Sequence, residues 1–352
     1  MTAGDTGTPA TPWRVAVVGA GAVGITLGAR LAVAGADVRF VVRPERVASF
    51  RATGLRLLSF EGDVWLPPEL PRGEGAEVGQ VGGGDGMGVR GEGGMGAHMG
   101  PPVVVTDDPA AIGPVDVVLV CVKAGQVAAV APTLRPLLGA HTAVVPTQNG
   151  VEASALLADA LGAGAVLEGL ARVIAEPVSP GVVRHTAVTP LLEFGARGGV
   201  DAAAYPALGQ REALAAWLRA AGLHAVQPPD MAVALWEKFL FIDPIGVVCA
   251  ASGHPFGVVR GDAALRAQVD ACLAEVVAVG GAMGVAWPDD AVARVWRRYE
   301  ALPADGFTSM ARDLLAGRPS ELDSQVGAVV RLGRRFGVPT PVHFRFLEQL
   351  AG

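Results

Sequence analysis

The sequence predicts an α/β domain on a parallel sheet, followed by an all-α domain. Three observations carry this expectation. A short apolar run near the N-terminus, "WRVAVVG", passes through a glycine turn into a helical pattern. Further short β-rich runs alternate with helical ones up to the segment "HAVQPPD". From residue 230 onward the periodicity is helical nearly to the end, broken only at "GVAWPDD", "LPADGF" and "FGVPTPV". A β-turn-α-β unit with parallel strands implies a sheet covered on both faces.

The elements follow in order. Residues 1–12 are polar, lack a basic segment and an apolar core, and read as a disordered leader rather than a signal peptide. Residues 13–19 form the first strand. The pattern "GITLGARLAVAG" is a helix ending at Gly35, a natural stop. "ADVRFVVR" is the second strand. Residues 72–102 are different material: thirteen glycines fall in 72–100, too many to build a core, so the stretch reads as a flexible insertion. His98 with Met87, Met95 and Met99 is too loosely set there for a metal site. Strands are expected at 103–106, 116–122, 142–146 and 165–167, with helices near 126–138 and 151–161. The short apolar bursts of 181–195 suggest an antiparallel hairpin. Residues 210–221 are helical, stopped by Gly222, and "HAVQPPD" is a last strand and linker. The expected division is an α/β domain over 13–228 and a helical domain over 229–352.

Bulk properties exclude several roles. A net charge of -6 with no basic run gives nucleic acid no electrostatic footprint. No uncharged apolar stretch reaches the ~18 residues of a spanning helix, so a soluble cytoplasmic protein is expected. Cys121, Cys249 and Cys272 have neither disulfide nor zinc spacing.

The glycine turn is the first chemical signal. Gly19, Gly21 and Gly24, with Ala20, Ala22 and Val23 between them, form G-x-G-x-x-G after a strand and before a helix. That is the context of a Rossmann-type dinucleotide site: the glycines let backbone approach a pyrophosphate, which sits on the helix N-terminus. The second strand ends in Arg43, not in an acidic residue. An arginine there suits a 2′-phosphate through bidentate bonds, which favours NADP(H); Glu45 touching a ribose is the alternative. Lys123 in "CVKAGQV" and Asn149 in "TQNGVE" each follow an apolar strand, on the same sheet edge as the glycine turn. Ligands of open α/β sheets bind at that edge. Lys123 and Lys238 are the chain's only lysines, and Lys238 lies within the apolar run 231–250. A lysine in such a run is paired, snorkelling or functional.

These pieces together resemble the ketopantoate reductase (2-dehydropantoate 2-reductase) family. The match runs in order through "VAVVGAGAVG", Arg43, "VCVKAGQ", "TQNGVE", "LWEKFLF" and "FTSMARDLLAGRPSELD". The resemblance implies a Rossmann-type domain followed by a helical domain of the 6-phosphogluconate dehydrogenase C-terminal kind. It also implies NADPH-dependent reduction of a 2-keto acid to the 2-hydroxy acid, in a cleft between the domains. The cofactor would lie over Gly19–Gly24, with Arg43 at its 2′-phosphate and Lys123 and Asn149 on its nicotinamide side and against the substrate. Lys238 would be the general acid. Ser309 would help bind the substrate carboxylate. Glu321 would hold a substrate hydroxyl, tune the site and reach the cofactor. Asp313 and Arg318 read better as structural, an ion pair or a cap. No metal is implied, and the helical domain could present the face of a homodimer.

One departure bears on substrate. The family pattern expects asparagine four and eight residues after the catalytic lysine; here Ile242 and Gly246 stand there. Asp243 is adjacent but about 100° out of phase on a helix. The hydride chemistry is untouched by this, but the substrate is expected to be bulkier or more apolar, or a different carbonyl compound. The other readings are a dehydrogenase of the same architecture acting on another carbonyl or hydroxy acid, and an NADP-binding regulatory protein without turnover.

Overall fold

The computed structural model describes residues 12–69, 98–200 and 204–352. The expected leader and nearly all of the glycine-rich insertion lie outside the described residues. The elements run β1 (Arg14–Val18), α1 (Ala22–Val33), β2 (Asp37–Val41), α2 (Pro44–Thr53), β3 (Leu55–Ser59), β4 (Val64–Leu66), β5 (His98–Met99), β6 (Val104–Thr106), β7 (Val115–Val120), α3 (Val127–Val130), β8 (Leu138–Pro146) and α4 (Ala153–Leu161). They continue with β9 (Glu168–Ser179), β10 (Val182–Gly195), α5 (Arg211–Ala220), β11 (His224–Val226), α6 (Met231–Ser252), α7 (Phe256–Gly261), α8 (Ala263–Ala282), α9 (Ala291–Glu300), α10 (Ser309–Leu315), α11 (Ala328–Phe336) and α12 (Pro341–Ala351).

Five strands form a parallel sheet in the order β6-β2-β1-β7-β8. The valine-rich central strands β1 and β7 are covered on both faces, as their unbroken apolar runs require. The chain leaves β1 toward β2 on one side and reaches β7 on the other, so the switch point lies between β1 and β7. Loops from β1, β2, β7 and β8 all emerge at one edge of this sheet. A second sheet, β11-β10-β3-β4-β5 with β9 on β10, packs behind α1.

Three local expectations need correction. Residues 182–195 are one strand, not a hairpin. The turn is at Pro180–Gly181, and β10 pairs antiparallel with β9. The broken apolar pattern marks register shifts near His185–Leu191, where Val188 has φ 51°. Residues 165–167 are not a strand; a 3₁₀ turn over Ala163–Ala165 leads to a single bridge between Val144 and Val166. The expected helix over 126–138 is mostly 3₁₀, because Pro132 and Pro136 remove its donors and crowd the preceding turn. Helix α2 was not anticipated; its signal is Pro44 at the first helical position.

The helical region is organised around α6. Asp230 caps it by accepting from the Val233 N–H at 3.1 Å, and Gly253 stops it in the left-handed region at φ 72°. Pro244 interrupts its ladder and deprives the Leu240 carbonyl of its partner. The Tyr299 hydroxyl donates to that carbonyl at 3.2 Å, so the break is satisfied from α9. The neighbouring Asp243 is fully buried and bonds His343 Nε2 at 2.8 Å; His343 Nδ1 meets Glu275 Oε2 at 2.6 Å. One imidazole thus ties α6, α8 and α12 together. Burial opposes charging of His343, but the two carboxylates outweigh it and push its pKa up to about 9. Burial acts to raise Glu275, yet its bonds from His343 hold its carboxyl below the usual range.

The sign of the pH dependence follows. His343 stabilises fully below its unfolded pKa, and that contribution is lost as pH rises through about 9. Glu275 contributes above its unfolded pKa, and its part is lost in acid. The network's own contribution, read as the difference in denaturant unfolding free energy between wild type and His343→Gln, should therefore be largest near pH 5–6 and shrink by about 3 kcal/mol toward pH 9.5. His343→Gln should thus lower stability less in alkali.

Candidate active site

The glycine turn sits where β1 ends. Gly19 takes φ 103°, a conformation that favours glycine, and its N–H donates to the Val41 carbonyl at 2.8 Å. A Cβ on Gly24 would stand 1.9 Å from the Gly19 carbonyl oxygen, so helix α1 approaches the turn as closely as only glycine allows. A Cβ on Gly21 would meet nothing within 4 Å. The turn is therefore closed beneath and open above Gly21. Helix α1 begins there without a side-chain cap or an acidic first turn. An open cradle of backbone at a bare helix N-terminus fits a pyrophosphate. Arg43 stands at the end of β2 with its side chain 61% exposed, and it pairs with Glu45 at 3.2 Å. Such an exposed pair contributes little stability and leaves the guanidinium accessible to a phosphate.

The loop after β8 is held by side chains that the sequence reading passed over. Gln148 is buried and donates to the carbonyls of Val120 and Val122 at 2.7 and 2.8 Å. The Thr147 hydroxyl donates to Val120 as well. These bonds tie the β7 and β8 edges together and hold Asn149 at the rim. Asn149 Nδ2 then donates to Glu321 Oε2 at 3.1 Å, and Gln325 Nε2 donates to the same oxygen at 3.2 Å. Glu321 precedes a π-helical turn over Asp323–Gly327, a local feature frequent at functional sites.

Lys123 is not gathered with this group. Its ammonium bonds Asp313 Oδ2 and the Pro319 carbonyl, each at 3.1 Å, and bridges the sheet edge to the helical region. Asp313 also pairs with Arg318 at 2.9 Å. The ion pair expected from the sequence thus takes Lys123 as a third member.

Lys238 is buried and donates to the Ala171 carbonyl of β9 at 2.7 Å. Burial lowers its pKa to about 7, helped by the Arg172 guanidinium and opposed by the carboxylates of Glu321 and Glu193. Arg172, held by Glu193 at 2.7 Å, is a site residue that the sequence reading missed. Its only sequence signal is a charge within the apolar strand "GLARVIA". Beside this group lies a cavity of about 220 Å³. Asn149, Gln325, Thr308 and Ser309 supply its polar lining, and the rest is apolar, including Ile242 one turn along α6 from Lys238. Glu321 and Lys238 do not line it; Glu321 meets it only through the two amides.

Residues 15–82 and 84–199 match the family described as ketopantoate reductase PanE/ApbA, and residues 230–352 match that family's C-terminal part. The chain belongs to the ketopantoate reductase family. A 2-dehydropantoate 2-reductase of Mycobacterium tuberculosis is 33% identical over 69% of this chain and 77% of its own length. One from Mesorhizobium japonicum is 28% identical over 93% and 94%. The crystal structure of a 2-dehydropantoate 2-reductase from Geobacter metallireducens superposes with a TM-score of 0.76 at 27% identity, covering 96% of this chain and 99% of that one. A D-mandelate dehydrogenase solved with NADH and anilino(oxo)acetate shares the fold, with a TM-score of 0.75 at 18% identity and coverage of 96% and 97%. The expected architecture, a Rossmann-type region followed by a helical domain, is the one observed in this ketopantoate reductase relative. No helix among the described residues is long and apolar enough to cross a membrane.

Because the chain has only two lysines, their side-chain nitrogens can be followed separately by NMR with ¹⁵N-lysine label. The Lys238 signal should titrate near pH 7. Glu321→Gln removes a nearby negative charge and should move that midpoint down. Arg172→Leu removes a positive charge, leaves Glu193 unpaired, and should move it up by both effects. An unchanged midpoint in both variants would contradict this electrostatic account.

Proposed function

We propose that this chain reduces a 2-keto acid to the 2-hydroxy acid with NADPH, and that Lys238 is the proton donor. The observation that carries the reading is Lys238 itself: a buried ammonium, balanced near neutrality, on the helix face that leads into the cavity. The reduced nicotinamide supplies the hydride when bound. Hydride arriving at the keto carbon leaves negative charge on its oxygen, and a cationic donor there stabilises the charge and then delivers its proton. Arginine could not do this, because it does not deprotonate; a lysine near neutral pKa can give up its proton and regain it from solvent. Partial desolvation also strengthens the attraction between ammonium and oxyanion.

The other residues serve binding and orientation. The turn Gly19–Gly24 would hold the pyrophosphate, and Arg43 the 2′-phosphate. Asn149 is aimed by Glu321 and would orient the nicotinamide and the substrate carbonyl. Ser309 would accept the substrate carboxylate from the cavity's polar edge. Glu321 would keep the Lys238 ammonium charged at working pH, since its carboxylate opposes the effect of burial. Lys123, once released from Asp313, would approach the cofactor side of the cleft.

Lys238→Ala should lower turnover by about 10²–10⁴-fold while leaving the NADPH Kd nearly unchanged. Loss of cofactor binding instead would refute the acid role. In the wild type, kcat/KM for reduction should fall as pH rises above about 7, because the protonated lysine is the active form. Arg43→Ala should weaken NADPH by tenfold or more and NADH little, as titrated by nicotinamide fluorescence. Equal losses would remove the 2′-phosphate from Arg43.

A further inference from the structure

We propose, resting on the 2-keto-acid reading above, that the cavity selects acids whose side chain is a branched or aromatic hydrocarbon and discriminates against a hydroxyl there. Ile242 and the contact of Gly246 with Thr308 are the features that set this preference.

Lys238, Ile242 and Gly246 are spaced four apart on α6 and so lie along one ridge. A substrate with its carbonyl at Lys238 extends its side chain along that ridge. The next position, Ile242, presents only carbon to the cavity. At the one beyond, a Cβ on Gly246 would stand 2.8 Å from Thr308 Oγ1 and 3.3 Å from Thr308 Cγ2. Thr308 therefore fills the space a polar side chain at 246 would need. Its oxygen accepts from the Ala311 N–H at 3.2 Å as the cap of α10, which fixes its place and leaves the hydroxyl hydrogen and one lone pair.

The remaining walls are Phe241, Ile245, Phe256, Leu302 and Phe307. Phe241 is held in place by Arg298, 3.8 Å over its ring, and by the stacked Tyr299. The polar part of the lining is Thr308 and Ser309 at the start of α10, with Asn149 and Gln325, whose amides also hold Glu321. These suit the carboxylate and carbonyl common to every 2-keto acid. The volume, about 220 Å³, falls below the roughly 300–1,000 Å³ of drug-sized sites and fits a small acid.

The preference has a predictable size. A carbon-lined pocket disfavours an added hydroxyl by up to about 10²-fold, whereas a site built to bond a hydroxyl rejects the analogue lacking it by about 10⁴–10⁵-fold. The sign of the ratio between a matched pair therefore decides. 2-Dehydropantoate and 3,3-dimethyl-2-oxobutanoate differ only by a hydroxyl replacing a hydrogen. Steady-state kcat/KM with NADPH should be at least about tenfold higher for 3,3-dimethyl-2-oxobutanoate, and phenylglyoxylate should likewise exceed 2-dehydropantoate. Ile242→Asn should narrow or reverse the ratio. Equal or higher kcat/KM for 2-dehydropantoate in the wild type would overturn this inference and leave the 2-keto-acid reading standing. Reduction of none of the three acids, with NADPH or NADH, would overturn both. The wild-type comparison decides even if Ile242→Asn fails to fold.

Discussion

The desolvated ammonium of Lys238, held by the carbonyl of Ala171, is the interaction on which the rest of this molecule turns. It joins the central helix of the helical region to a strand of the α/β region, and among the described residues no carboxylate pairs with it directly. An ammonium in that position is tolerable only because its surroundings bring it near neutrality. Arg172 adds to the effect of burial, and Glu321 and Glu193 resist it. Four charged groups on separate elements must therefore be placed by the fold before one lysine acquires a useful pKa. Those groups sit on β9, β10, α6 and the turn after α10.

Helix α6 divides its labour by angle. On the ridge of Lys238, Ile242 and Gly246, Ile242 lines the cavity, and Asp243, about 100° away, faces the helical core. There it bonds a doubly held imidazole and contributes to stability, not to the cleft. Pro244 is accommodated because Tyr299 satisfies the carbonyl that the proline leaves unpaired. A polar residue one position out of register thus has an entirely different role, and the cavity stays apolar along that helix.

Three polar contacts join the sheet edge to the helical region. Asn149 reaches Glu321, Lys123 reaches Asp313, and Glu152 pairs with Arg331 at 2.7 Å. Each joins a loop or helix start of the parallel sheet's edge to the helical region. On the proposed reading the sheet edge would cradle the cofactor and the helical region would supply the proton donor, so the reaction would need both.

Much of this was legible in the sequence, and the reason is locality. The strand, glycine turn and helix of the N-terminal motif are neighbours along the chain, so their geometry follows from backbone sterics and periodicity. The same holds for the onset of helix near residue 230, for Gly35 and Gly222 as stops, and for Lys238 as a conspicuous charge in an apolar run. Local signals also misled where two effects compete. Prolines turned an apolar helical pattern into 3₁₀ structure, and bulges in β10 imitated a hairpin. What only the tertiary structure decided is every property that depends on residues distant in sequence. Arg172 beside Lys238, Gln148 on the carbonyls of Val120 and Val122, Thr308 against Gly246 and His343 between Asp243 and Glu275 all join positions dozens to a hundred residues apart. Burial and electrostatics act through space, so the pKa of Lys238 and the apolar character of the cavity came into view only once the helices and strands were packed.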